Sequence, residues 1–181
     1  MSIPRPAPPV NLFVSVIGTE GEVIAAAIAL LMERFGEADY ISPCREFAYT
    51  DYYEREMGRG LRRRFVSFAG HISPESLPEI KLWTNDLERR LIAGETRRVN
   101  IDPGYVAAAH LILATGKGYD HRPYLRSGIY ADLTLVYRAG AFRPLPWTYP
   151  DYAAPETLAI IQSVRRKYLG QLQKIRKENH D

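Results

Sequence analysis

Ile129-Tyr130-Ala131-Asp132-Leu133-Thr134-Leu135-Val136-Tyr137-Arg138 alternates between two faces. Tyr130, Asp132 and Thr134 lie on one face and Ile129, Ala131, Leu133 and Leu135 on the other, the period-two signature of a strand. Arg138-Ala139-Gly140-Ala141 then predicts a hairpin turn into Phe142, so the following strand returns alongside. Upstream, Val99 to Ile101 and His110 to Thr115 are further strand candidates, and the chain beyond Gly94 is mainly extended. Downstream, Pro155-Glu156 opens a helix towards Lys177 with an apolar stripe of Leu158, Ile161, Val164, Tyr168, Leu172 and Ile175.

The N-terminal half mixes both periods. Val10 to Gly18 is an apolar, β-branched run that reads as a buried strand. Thr19-Glu20-Gly21-Glu22 has the form of a capping box, and Ile24, Ala27, Leu31 and Phe35 keep helical spacing until Gly36 ends the helix. Asp39 to Tyr49 reads as extended, and Leu61 to Ala69 as a strand in which Arg62 and Arg64 alternate with apolar neighbours. Ser73-Pro74-Glu75 starts a helix, since proline is tolerated at the first helical position. The stretch to Ile92 has two readings: a short strand over Ile80-Lys81-Leu82, or a helix capped by Thr84 or Asn85, running through Leu91 and ended by Gly94. Strands and helices follow no strict βαβα rhythm. The expected class is therefore α+β, a single domain over 10–181 in which a mixed or antiparallel sheet packs against two or three helices. A proline-rich arm, 1–9, precedes it.

Composition narrows the function classes. At 181 residues, 46% hydrophobic and 25% charged, the chain can bury a full core, which argues against wholesale disorder. A single cysteine, Cys44, allows no internal disulfide and no thiolate metal cage, and it favours a reducing cytoplasm. The longest apolar run, Val23 to Met32, is too short to span a bilayer, so no membrane is expected. A net charge of +3 is too mild to imply nucleic-acid binding by itself. Much of the excess sits in Arg165, Arg166, Lys167, Lys174, Arg176 and Lys177, where cations suit a helix C-terminus.

Residues 97–152 hold seven of the twelve tyrosines, together with Arg, Asp, His and Asn beside Gly and Pro turns, which are the residue types of a binding surface. Asp102, His121 and Asp132 are the catalytic candidates, able to act in acid/base chemistry if they gather. None has a metal-ligand spacing, so no metal site is predicted, and Asp102 before Pro103-Gly104 also reads as a turn residue. Arg98, Asn100, Lys117, His121, Arg122 and Tyr130 are the ligand-binding candidates. Arginine presents a planar fork suited to phosphate, and the tyrosines offer rings for stacking. No G-x-S-x-G elbow is present, and Ala114-Thr115-Gly116-Lys117-Gly118 lacks the first glycine and the following hydroxyl of a phosphate-cradling loop.

The segments Thr50-Asp51-Tyr52-Tyr53, Leu77-Pro78-Glu79-Ile80-Lys81-Leu82, Asn100-Ile101-Asp102-Pro103-Gly104-Tyr105, His121-Arg122, Gly128-Ile129-Tyr130-Ala131 and Pro144-Leu145-Pro146-Trp147-Thr148-Tyr149-Pro150-Asp151-Tyr152 together resemble the uncharacterised prokaryotic family known as domain of unknown function 4416. The resemblance extends over nearly the whole chain and implies no established activity. Some relatives are labelled GTP-binding, an expectation that the missing phosphate loop does not support. Asp132 departs from the Glu that the resemblance leads one to expect after Tyr130-Ala131. Two functions are carried forward: a protein that binds a small anionic or phosphate-bearing ligand, with or without catalysis, and a non-catalytic RNA- or protein-interaction module. The sequence specifies no cofactor.

Overall fold

A computed structural model describes residues 1, 3–50, 52–92 and 96–178, with the backbone alone at 55, 176 and 178. β1 (Val10–Gly18) is buried along its whole length, as an unbroken apolar run requires when both faces of a strand are covered. It pairs antiparallel with β4 (Arg62–Ile72) on one side and β5 (Val99–Val106) on the other. β2 (Ala38–Ile41) and β3 (Arg45–Glu46) extend the sheet beyond β4. On the other side β5 pairs with β6 (His110–Thr115) and β6 with β8 (Ile129–Arg138), whose outer edge carries β7 (Tyr124–Arg126) and β9 (Ala141–Pro144). Every one of these pairings is antiparallel, which settles the choice left open by the sequence within the α+β class.

Helices cover both faces. Leu12, Val14 and Val16 of β1 meet Ile24 and Leu31 of α1 (Gly21–Phe35) and Ile80 and Leu87 of α3 (Leu77–Arg90). On the opposite face Phe13, Phe65, Leu113 and Leu135 meet Tyr152 of α4 (Pro150–Ala153) and Ile161 and Val164 of α5 (Pro155–Glu178). α2 (Glu54–Met57) brings Met57 against Ile17, Phe47 and Leu61. Among the described residues three α-helices are long and two are single turns. In the α5 stripe, Ile161, Val164 and Tyr168 are buried, Leu158 and Leu172 half-buried, and Ile175 exposed, so docking fades towards the C-terminus. Each buried aliphatic contributes on the order of 2 kcal/mol, enough to fix the helix in place.

Several local expectations are corrected. The capping box does not form: Glu20 occupies the cap position without a side-chain cap bond, which leaves Thr19 one residue too early, and Glu20 pairs with Arg98 instead. Ile80–Leu82 is not a strand but part of α3, which starts after a 3-10 turn at Pro74–Ser76; Gly94 lies outside the described residues. β7, which the sequence reading lacked, is a three-residue exposed strand. Strand β8 alternates as expected up to a bulge: Leu113 opposes Asp132 and Ile112 opposes Leu133, but Leu111 opposes Leu135. The extra residue puts Leu135 on the Asp132 face, in the core with Leu111 and Leu113. Asp132 and Thr134, placed by alternation on a polar face, are buried. Both hairpins around β8 turn through consecutive positive-φ residues, Ser127-Gly128 and Ala139-Gly140, the backbone that two-residue hairpin loops demand.

One feature of the sheet shapes the site. The β5–β6 partners are Gly104–Leu113, Tyr105–Ile112 and Val106–Leu111, so over Val99–Pro103 no described strand pairs with this edge of β5. At Gly104 the strands approach so closely that a Cβ would lie 2.3 Å from the Ile112 carbonyl oxygen.

Candidate functional site

The uncovered edge of β5 has to satisfy its backbone groups by other means, and α3 supplies them. The Ile101 amide donates to Glu88 Oε1 at 2.6 Å, and the Ile101 carbonyl accepts from Lys81 Nζ at 3.0 Å. Lys81 Nζ also lies 3.0 Å from Asp102 Oδ1, while Asn100 Nδ2 donates to Asp102 Oδ2 at 2.7 Å. Arg97 bridges Glu56 at 2.7 Å and Glu88 at 3.2 Å. Burial alone would raise the Asp102 carboxyl, but the Lys81 charge and the bonds from Lys81 and Asn100 hold it below the usual carboxylate range. Burial pushes the Glu88 carboxyl up, against the opposing charges of Lys81 and Arg97.

The two acids therefore act on stability with opposite signs. The raised Glu88 contributes stability that is full below the ordinary carboxylate value and is lost as pH rises through the raised one; the lowered Asp102 contributes stability that is lost as pH falls through its own value. Glu88→Gln keeps an acceptor for Ile101 and is expected to remove the first dependence, flattening the fall in stability between acid and neutral pH. Glu88→Ala strands the buried Ile101 amide and is expected to cost about 1–3 kcal/mol. Urea denaturation across that pH range separates the two variants.

A second cluster forms where the chain from β6 to β8 meets the segment after β9. Arg122 is buried, with Nε 2.7 Å from Asp132 Oδ2, Nη1 3.1 Å from the Lys117 carbonyl oxygen and Nη2 3.3 Å from the Tyr149 hydroxyl. Asp132, although an acid one methylene shorter than the family resemblance suggests, still reaches this fork and also accepts from Thr134. The His121 ring stacks between Tyr119 at 6.1 Å and Trp147 at 5.0 Å. Its Nε2 lies 3.8 Å from Asp132 Oδ2 and has no hydrogen-bond partner. Lys117 Nζ donates to the Tyr52 hydroxyl at 3.0 Å and rests 4.1 Å from the centre of that ring. The segment that frames this cluster is stapled down, with Trp147 Nε1 on the Leu133 carbonyl at 2.8 Å and Thr148 Oγ1 on the Thr134 carbonyl at 2.5 Å.

Strand register puts the two clusters on one face. Asp102 shares a face with Gly104, Gly104 opposes Leu113, and Leu113 opposes Asp132, with Tyr130 two residues away on the same side. Tyr53 lies between them. Burial lifts its hydroxyl far above the ordinary phenol range, and the charges of Asp102, Tyr149 and Asp151 add to the effect while Arg97 opposes it. Asn100, Asp102, Lys117, His121, Arg122, Tyr130 and Asp132 thus lie on one side of the sheet. Arg98 does not join them, because its guanidinium is taken by Glu20 at 2.6 Å beside the start of α1.

Sequence reasoning missed Lys81 and Glu88, which sit seven residues apart on α3 and face the open β5 edge. It also missed Tyr53 and the buried Arg63–Asp151 pair. A separate pocket, lined by Arg45, Tyr49, Arg63 and Glu156 among others, contains none of the expected residues. Among the described residues no three His, Cys, Asp or Glu side chains gather as a metal site, and no helix is long and apolar enough to cross a membrane.

The chain belongs to the family described as a domain of unknown function (DUF4416), whose model matches residues 8–168. No curated protein and no solved structure matches it.

Proposed function

We propose that the protein binds a small anionic, phosphate-bearing ligand on the surface formed by Lys117, His121 and the rings around them. The observation that carries this reading is the state of Lys117. Lys117 is exposed, its ammonium meets the Tyr52 hydroxyl and ring, and among the described residues no carboxylate lies within ion-pair distance. The same loop carries the His121 ring, stacked against Tyr119 and Trp147, and is held in place by the buried Arg122–Asp132 pair. A cation with no counter-ion among the described residues, framed by aromatic faces and held on a hydrogen-bonded scaffold, suits an anion that carries a flat or ring-shaped body.

Of the catalytic candidates, Asp102 is held as an anion, which suits it to accept hydrogen bonds and makes it a weak base. The reading as an RNA- or protein-interaction module draws less support. Lys167 is neutralised by Asp39 at 2.6 Å and Arg165 is tied to the Ala108 carbonyl at 2.7 Å, which leaves fewer free cations on the basic side of α5. The single cysteine supports a reducing compartment such as the cytoplasm.

Calorimetric titration with inorganic phosphate tests the reading. Binding is expected in the wild type and in Lys174→Ala, with a loss of about tenfold or more in Lys117→Ala, because one charge-assisted bond is worth about 1.5–3 kcal/mol. Equal affinity in all three proteins, or no binding in any, would overturn it.

A further inference from the structure

Asp102 is a polar group in contact with solvent that the phosphate reading does not use. Its side chain keeps 30% of its surface exposed, although Lys81, Asn100 and Tyr53 surround it. Each carboxylate oxygen has one partner in the protein, Lys81 on Oδ1 and Asn100 on Oδ2. An ionised carboxylate offers about four acceptor sites, so roughly two remain, one on each oxygen. Two fixed acceptor oxygens on one carboxylate match a pair of neighbouring hydroxyls, each donating one hydrogen bond. Lys81 and Asn100 lock the carboxylate rotamer, so the acceptor is organised before any ligand arrives. The neighbouring walls are phenol rings: Tyr53 is packed at 5.1 Å against Tyr52, the ring that carries Lys117.

Asp102 and Asp132 sit on the same face of β5 and β8, with β6 between them. Two strand spacings and one alternation put their Cα atoms about 12 Å apart. Lys117 rests on the Tyr52 ring and Tyr52 packs against Tyr53, whose hydroxyl feels the Asp102 charge, so a row of rings runs from the ammonium towards this carboxylate.

We propose that the ligand is a sugar phosphate: the phosphate sits at Lys117, the ring lies along Tyr52 and Tyr53, and a vicinal diol donates to Asp102. This rests on the phosphate reading above and adds the substrate class to it. The same ribosyl phosphate chemistry has two sources, a free sugar phosphate and a nucleoside monophosphate.

The test compares ribose 5-phosphate, 2-deoxyribose 5-phosphate and inorganic phosphate by calorimetry on the full chain. Ribose 5-phosphate is expected to bind the wild type at least tenfold tighter than its 2-deoxy analogue, which lacks one hydroxyl of the pair. Asp102→Asn is expected to bring the two sugars within about threefold, since the amide retains one acceptor oxygen, and to leave inorganic phosphate unchanged. The wild-type comparison stands whether or not that variant folds. Equal affinity for the two sugars would overturn the diol assignment, while loss of phosphate binding in Lys117→Ala would still uphold the anion site. Failure of every phosphate compound to bind would overturn both. Adenosine monophosphate separates the sources: binding at least as tight as ribose 5-phosphate supports the nucleotide form of the proposal, and exclusion supports the free sugar form.

Discussion

Asp151→Ala is expected to lower the stability of the folded chain by about 3–5 kcal/mol, because it leaves the buried Arg63 guanidinium without its counter-ion. Arg63 Nη1 lies 2.5 Å from Asp151 Oδ2, and the two side chains are only 7% and 10% exposed. The guanidinium also lies over three rings, 4.3 Å from the centre of Phe65, 5.0 Å from Phe47 and 5.6 Å from Tyr152. This one side chain therefore ties β4 to the segment before α2 and to α4. For a chain of this size the loss corresponds to roughly 6–20 °C in melting temperature. The desolvation of two charges offsets much of the attraction between them, so Arg63→Met combined with Asp151→Leu is expected to recover most of the loss. A loss below about 1 kcal/mol in the single variant would mean that water reaches the pair and screens it.

Arg63 also marks where reading the sequence stops. Arg62-Arg63-Arg64 is a run of three identical side chains, and only the middle one is buried. Alternation along Leu61 to Ala69 puts it on the inward face but does not show what makes a buried charge tolerable there, since its partner is Asp151, nearly ninety positions away in the chain. The features that were legible are those with a short physical range. The period of β8, the glycine turn at Gly140 and the α5 stripe depend on neighbours within a few residues, and all three are present in the fold. The β8 bulge was not legible, because it is defined by the register against β6. The short apolar run at Ile80–Leu82 fits either period, and packing under β5 decided for helix.

The candidate site divides in the same way. Lys117, His121, Arg122 and Asp132 lie close in sequence, on one chain excursion and the strand after it, so clustering of residue types points to them directly. Lys81 and Glu88 become part of the site only because β6 parts from β5, which leaves backbone groups that α3 must satisfy. Arg98 has the residue type expected of a ligand group but stands next to Glu20, across the end of β1, and the nearer carboxylate takes it.

The residue that sets this geometry is Gly104, and Gly104→Ala is expected to destabilise the protein by about 3 kcal/mol or more, at the upper end of what overpacking usually costs. The added methyl would lie 2.3 Å from the Ile112 carbonyl oxygen and 3.0 Å from the Leu113 Cα. Both are backbone atoms of the adjacent strand, so no side-chain rotation relieves the clash, and β5 and β6 must move apart at the start of their ladder. Gly116→Ala is the control: its Cβ meets nothing within 4 Å, and a change of less than about 0.5 kcal/mol is expected. Because the β5–β6 ladder begins at Gly104, separating the strands there would also shift Asp102 relative to Asp132. The alanine variant, where it remains folded, is therefore expected to bind ribose 5-phosphate more weakly while keeping its affinity for inorganic phosphate. Amide exchange at Tyr105 and Val106 reads the first effect and calorimetry the second. Unchanged exchange with an unchanged melting temperature would show that the close approach at Gly104 does not hold the two strands.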